Sequence, residues 1–141
     1  MDNRNQADGN RSGSGRAPGA PELRLRLKLS LEDGEGRVFF GPGVLELLDG
    51  VRETGSIQRA ARKMDLSYVK ALKILKQTEE GFGRPFLNRR KGGSERGKSE
   101  LTAFGARFLA RYEVFREEAE RVLAERFAAV ADEVFSGEAG S

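Results

Sequence analysis

Residues 55–75 read Gly55-Ser56-Ile57-Gln58-Arg59-Ala60-Ala61-Arg62-Lys63-Met64-Asp65-Leu66-Ser67-Tyr68-Val69-Lys70-Ala71-Leu72-Lys73-Ile74-Leu75. The stretch predicts two helices joined by a tight turn. Ser56 suits an N-cap, because its hydroxyl oxygen can accept an otherwise unpaired backbone N–H of the first turn. Ile57, Ala60, Ala61 and Met64 then recur at helical spacing. The two alanines are small enough for another helix to cross close by. Asp65-Leu66 ends the first helix, since aspartate tolerates a left-handed turn better than most non-glycine residues. Ser67 caps the second helix. There, Ala71, Leu75 and Thr78 share one side, and Tyr68, Val69, Leu72, Lys73 and Lys76 another. A small-residue helix, a four-residue turn and a capped second helix make a helix-turn-helix. In that motif the second helix lies in the DNA major groove.

The residues beyond this motif strengthen that reading. Phe86-Leu87-Asn88-Arg89-Arg90 reads as a strand, Lys91–Ser99 as a basic, glycine-rich loop, and Glu100-Leu101-Thr102 as the returning strand. A basic hairpin directly after a helix-turn-helix is a wing, whose cations grip phosphates or enter the minor groove. Net charge is only +3, but residues 59–98 carry 12 basic and 4 acidic side chains. That concentration is the footprint of a phosphate-backbone binder. Gly92-Gly93-Ser94-Glu95-Arg96-Gly97-Lys98-Ser99 matches the letters of a nucleotide-binding P-loop. The parallel strand–loop–helix context that such a loop needs is missing.

Outward from this centre, residues 1–21 are polar and rich in Gly and Ser, and predict a disordered tail. Leu23 to Leu31 alternate leucine with polar, mostly basic residues, which predicts a half-buried strand. Its charged side reads as the solvent face of an edge strand. After a turn at 32–36, Val38-Phe39-Phe40 predicts the returning strand of a hairpin. Gly41-Pro42-Gly43 breaks the sheet. Val44, Leu45, Leu47, Leu48 and Val51 then mark an amphipathic helix that Gly55 closes, and Gly81–Pro85 ends the helix begun at Ser67. From Thr102, its cap, to Phe135, one long helix is predicted, closed by Gly137 with residues 136–141 frayed. Phe104, Phe108, Tyr112, Phe115, Val122, Phe127 and Val130 form an apolar stripe along it. Thirty-odd residues span about 50 Å, too long for one small core to cover. The stripe therefore predicts a homodimer. The fold class is α+β and mostly helical: a winged helix-turn-helix domain at 22–102 with an N-terminal β-hairpin, then a dimerisation helix at 103–135.

The chain has no cysteine and no histidine. That removes disulfides, the usual zinc ligands and the commonest general base. No carboxylate pair at catalytic spacing stands out, so neither an enzyme nor a cofactor or metal site is expected. No apolar run is long enough for a membrane span, and the N-terminus lacks a signal core, which points to the cytoplasm.

Ser56-Ile57 opening the motif, Leu66-Ser67-Tyr68 at its turn, and Leu87 and Arg89 before a glycine-rich basic wing resemble ModE-type molybdate-responsive regulators in their N-terminal domain. So does Leu101-Thr102-Ala103-Phe104-Gly105-Ala106-Arg107-Phe108-Leu109 with Tyr112 beyond it. The LysR-type winged helix is a more distant relative. The resemblance covers about residues 22–135. It implies a dimer through the long helix and a palindromic double-stranded DNA operator. It also implies that Ser67 and Tyr68 begin the recognition helix, and that Arg89 and the Lys91–Lys98 loop form the wing. Leu72 stands where the family commonly has tryptophan, and Val69 where it often has lysine. The family's molybdate-binding domains have no counterpart in these residues. Molybdate sensing therefore does not carry over, which leaves room for a separate effector protein.

The residues expected to act are Ser67, Tyr68, Val69, Lys70, Leu72, Lys73 and Lys76 in the major groove, with lysines donating to guanine O6/N7 and Leu72, if it faces DNA rather than the core, touching a thymine methyl. Ser56, Gln58 and Arg59 are expected on phosphates, and Arg89, Arg90, Lys91, Arg96 and Lys98 on the backbone through the wing. The alternative is a winged-helix adaptor that binds proteins, because a fold does not fix a function.

Overall fold

The computed structural model describes residues 21–89 and 98–139. Its elements run β1 (Leu31–Glu32), β2 (Val38–Phe40), α1 (Pro42–Thr54), α2 (Ile57–Lys63), α3 (Tyr68–Phe82), β3 (Leu87–Arg89), β4 (Ser99–Leu101) and α4 (Ala103–Ala139). This is the expected α+β, mostly helical arrangement of a winged helix-turn-helix. The described residues divide into two compact units, one within 26–119 and one combining 21–25 with 120–139. The expected boundary at 102/103 falls inside the first unit, because the first turns of α4 carry core residues.

The helix ends follow local chemistry. Pro42 opens α1 at a position where no backbone N–H is needed. Gly55 closes it at φ 69°, its N–H donating to the Val51 carbonyl at 2.7 Å. Ser56 Oγ accepts from the Arg59 N–H at 3.2 Å, and Ser67 Oγ from the Lys70 N–H at 3.1 Å. Thr102 Oγ1 accepts from the Gly105 N–H at 3.0 Å while donating to the Pro85 carbonyl at 2.8 Å. Between α2 and α3, Asp65 takes φ 56°. The Asp65 N–H donates to the Arg62 carbonyl and the Leu66 N–H to the Ala61 carbonyl. This pair of bonds around a left-handed residue is a Schellman closure, and it turns the chain sharply into the second helix.

The core of the first unit is built from α1, α2, α3, the foot of α4 and the edge of the hairpin. Leu47, Leu48 and Val51 of α1, Ile57, Ala60 and Ala61 of α2, and Ala71 and Leu75 of α3 are buried, with Phe40, Phe86 and Leu109. Aromatic rings fill one side. Phe40 meets Phe82, Phe108 and Tyr112 edge-on at 5.8, 5.4 and 5.0 Å between centroids, the geometry that ring quadrupoles favour. Thr78, fully buried, donates its hydroxyl to the Phe39 carbonyl at 2.8 Å.

Two glycines let elements approach closely. A Cβ on Gly50 would lie 2.9 Å from the Ala60 Cβ, and one on Gly81 would overlap the Phe39 ring. The small residues of α2 thus have their counterpart in α1. Alanine is favoured over glycine inside a helix by about 1 kcal/mol, yet Gly50→Ala is expected to lower stability by about 1–2 kcal/mol through overpacking. A thermal melt checks this, and a raised Tm would show that the crossing has slack.

Several sequence expectations are corrected. The strand predicted over Leu23–Leu31 pairs only at Leu31 and Glu32, opposite Phe40 and Val38. Its partner β2 is three residues long and runs at once into α1, so Leu23 to Leu29 have no ladder to join. Leu29 and Leu31 still pack on the core. Helix α3 continues through Gly81 to Phe82, and α4 through Gly137 to Ala139. Of the residues expected on a dimer face, Tyr112 is buried in the domain core, and Phe104 and Phe108, half-buried, pack against it. The first turns of α4 must cover Phe40, Phe82 and Phe86, and these are the rings that do so. The expected tail lies outside the described residues, apart from Pro21.

In the second unit, Pro21, Leu23 and Leu25 border a groove whose other wall is Ala124, Phe127, Ala128, Ala131 and Phe135 of α4. Val122, Leu123, Phe127, Val130 and Val134 are exposed there. No helix among the described residues is long and apolar enough to cross a membrane.

Candidate nucleic-acid interface

Helix α3 presents two faces. Ala71, Leu75 and Thr78 are buried, as the spacing predicts, while Tyr68, Val69, Lys70, Lys73 and Lys76 are exposed. Lys70 and Lys73 lie in the N-terminal half of α3 and Lys76 just past its midpoint, while Glu79 and Glu80 lie in the last turn, so positive charge is concentrated toward the N-terminal side. The positive end of the helix dipole adds to it. Leu72 departs from its expected role: it is half-buried and packs on the core.

The capping serines keep a function to spare. Each Oγ accepts a backbone N–H from its own helix, which leaves the hydroxyl hydrogen free to donate to a phosphate oxygen. Ser67 is exposed and Ser56 half-buried. Gln58 and Arg59 are exposed on the first turn of α2. Arg62, which the sequence reading did not single out, is also exposed. Its spacing of three from Arg59 and four from Gln58 puts it on their face, a signal that was available in the sequence.

Strands β3 and β4 form the base of the wing, antiparallel, with Leu87 opposite Leu101, Asn88 opposite Glu100 and Arg89 opposite Ser99. Lys98 is exposed where the hairpin re-enters β4. Arg90, Lys91 and Arg96, with residues 92–97 of the P-loop-like letters, lie outside the described residues; the last of those letters, Ser99, begins a strand and not a helix. The wing is tied to the motif by a bond the sequence does not announce: the Ser99 N–H donates to the Gly55 carbonyl at 2.8 Å. Gly55 stands between α1 and α2, so one hydrogen bond links the wing base to the entrance of the helix-turn-helix.

Behind this surface the charge is mixed. Arg52 Nη2 lies 2.9 Å from Asp49 Oδ1 and 3.3 Å from Glu113 Oε1. The Asp49 contact is an ion pair by distance without hydrogen-bond alignment, since Oδ1 has no hydrogen-bond donor. Burial pushes the Asp49 carboxyl above its ordinary value of 3.8, with the Arg52 guanidinium opposing. Protonation therefore favours the folded state. That contribution is full below 3.8 and fades as pH rises through the folded value. In the β1–β2 turn the reverse holds. Backbone N–H groups of Arg37 and Glu35 donate to Asp33 Oδ1 at 3.0 and 2.9 Å and hold its carboxyl below the ordinary range. Among the described residues no group of carboxylates is placed to hold a metal ion.

A capped helix pair with a Schellman turn, a cationic second helix and a tethered β-hairpin define a winged helix-turn-helix DNA-binding domain. Residues 43–106 match the family described as bacterial regulatory helix-turn-helix protein, lysR family. The chain is 31% identical over 93 residues to the transcriptional regulator ModE of Haemophilus influenzae, covering 66% of this chain and 34% of that protein. It is 29% identical over 115 residues to the molybdenum transport protein ModE of Azotobacter vinelandii, covering 82% and 42%. Among solved structures it is similar to the CbnR DNA-binding domain crystallised with DNA, at 26% identity and a TM-score of 0.49, covering 62% of this chain and 94% of that one. The chain thus spans well under half the length of these ModE relatives. Its winged helix-turn-helix is similar to the lysR-family regulatory helix-turn-helix and to part of these two ModE proteins.

Proposed function

We propose that the protein is a cytoplasmic, sequence-specific transcriptional regulator that binds a palindromic operator as a homodimer. The observation that carries this is the outward face of α3, where Lys73 and Lys76 stand opposite the buried Ala71, Leu75 and Thr78. In this reading α3 lies in the major groove, with Tyr68, Val69, Lys70 and Lys73 nearest the base edges. Ser56, Gln58 and Arg59 bind phosphates. Arg89 and Lys98, with Arg90, Lys91 and Arg96, hold the backbone beside the groove.

The homodimer reading draws on the apolar residues that α4 leaves exposed, Phe115, Val122, Phe127 and Val130. A helix of 37 residues is about 55 Å long, and an unpartnered apolar stripe on it calls for a second helix. Two-fold symmetry would then put two recognition helices on half-sites one DNA turn apart, about 34 Å.

The test is a titration of the full chain against mixed genomic fragments at two salt concentrations, with bound fragments sequenced and the mass of the free protein measured by light scattering. Retention of a few palindromic fragments by a protein of twice the chain mass is the expected result. A monomer, or retention of no fragment at low salt, would overturn it.

A further inference from the structure

We propose that Val69 reads the C5-methyl group of a thymine in the operator and so determines specificity at one position of each half-site. The inference rests on the reading that α3 enters the major groove. Val69 is 75% exposed, more than any other large apolar side chain among the described residues. It is the second residue of α3. At helical spacing it stands one turn before Lys73 and two turns before Lys76, so the three share the face opposite the buried stripe.

Among the described residues nothing covers this side chain. A β-branched residue is a weaker helix former than alanine or lysine, and Val69 recovers nothing by burial. A single exposed apolar residue needs no explanation on an arbitrary surface, but this one occupies a particular place. The first turn of a recognition helix meets base edges. In the major groove every base-pair edge offers hydrogen-bond donors or acceptors, and only thymine adds an apolar group, its methyl. Lysine, serine and the Tyr68 hydroxyl have polar partners available there. An isopropyl group has no polar partner, only the thymine methyl. Leu72, the other aliphatic side chain near this end, is half-buried against the core. The methyl-reading role expected of it therefore passes to Val69.

The chemistry defines a direct experiment. Each thymine of a selected operator half-site is replaced in turn by deoxyuridine, which keeps base pairing and lacks only the C5-methyl group. The wild-type chain should lose about four-fold in affinity per half-site at one position, the worth of burying one methyl group. Val69→Ala should bind the thymine operator weaker by a similar factor and should no longer distinguish thymine from uracil there. Its melting temperature should not fall, because the residue is exposed. A thymine effect that persists undiminished in Val69→Ala overturns the proposal, as does a wild type indifferent to every substitution. A wild type that selects no DNA at all overturns the major-groove reading and this inference with it.

Discussion

Phe40→Ala should cost about 3–5 kcal/mol of folding stability, the range for deleting a buried aromatic ring. That is a large share of the roughly 5–15 kcal/mol typical of a domain. Phe40 is fully buried. It joins three elements at once, touching Phe82 at the end of α3 and Phe108 and Tyr112 at the foot of α4. Phe82 and Phe108 are held in turn by Phe86 and Phe104, so a cavity at Phe40 cannot collapse without moving the whole cluster. Urea denaturation followed by circular dichroism measures the loss. A conservative Phe40→Leu change should lose less than half as much, because most of the apolar volume remains. If Phe40→Ala unfolds at the wild-type urea concentration, the ring cluster does not hold α4 to the domain.

Removing Lys70, Lys73 and Lys76 together, each changed to alanine, should weaken DNA binding by roughly a thousand-fold at physiological salt while leaving the melting temperature nearly unchanged. All three are exposed, and exposed substitutions away from special features change stability little. Each lysine that neutralises a phosphate contributes about 0.9 to the slope of log affinity against log salt concentration. In a dimer, three lysines per protomer account for up to about five units of that slope. Any of the three that donates to guanine instead leaves the slope alone and relaxes base preference at one position. Salt titrations of the triple variant and of each single variant separate the two contributions. Affinity within a few-fold of wild type would mean that α3 is not the element facing DNA.

Much of the candidate interface was legible because it depends on contacts between near neighbours. A serine at 56 or 67 caps a helix through an N–H three residues away, and Thr102 does the same. Asp65 turns the chain through bonds that reach back no further than Ala61. The buried stripe of α3 follows from the 3.6-residue repeat alone. These interactions are short in sequence, so composition and spacing determine them.

Residue order alone therefore accounts for the series of helices, their caps, the turn between α2 and α3, and the concentration of positive charge on the motif and its wing. Packing chose which apolar faces find one another. It left Leu23 to Leu29 without a strand partner, because β2 ends at Phe40 where α1 begins. It drew Tyr112 into the core and Phe104 and Phe108 against it, because Phe40, Phe82 and Phe86 arrive there from distant parts of the chain. It turned Leu72 toward the core and left Val69 outside. It put Gly50 against Ala60 and Gly81 against Phe39, and it joined Ser99 to Gly55. Hydrophobic burial is non-directional, so a sequence states that a side chain must be covered without stating by what. Only the packed chain supplies the partner.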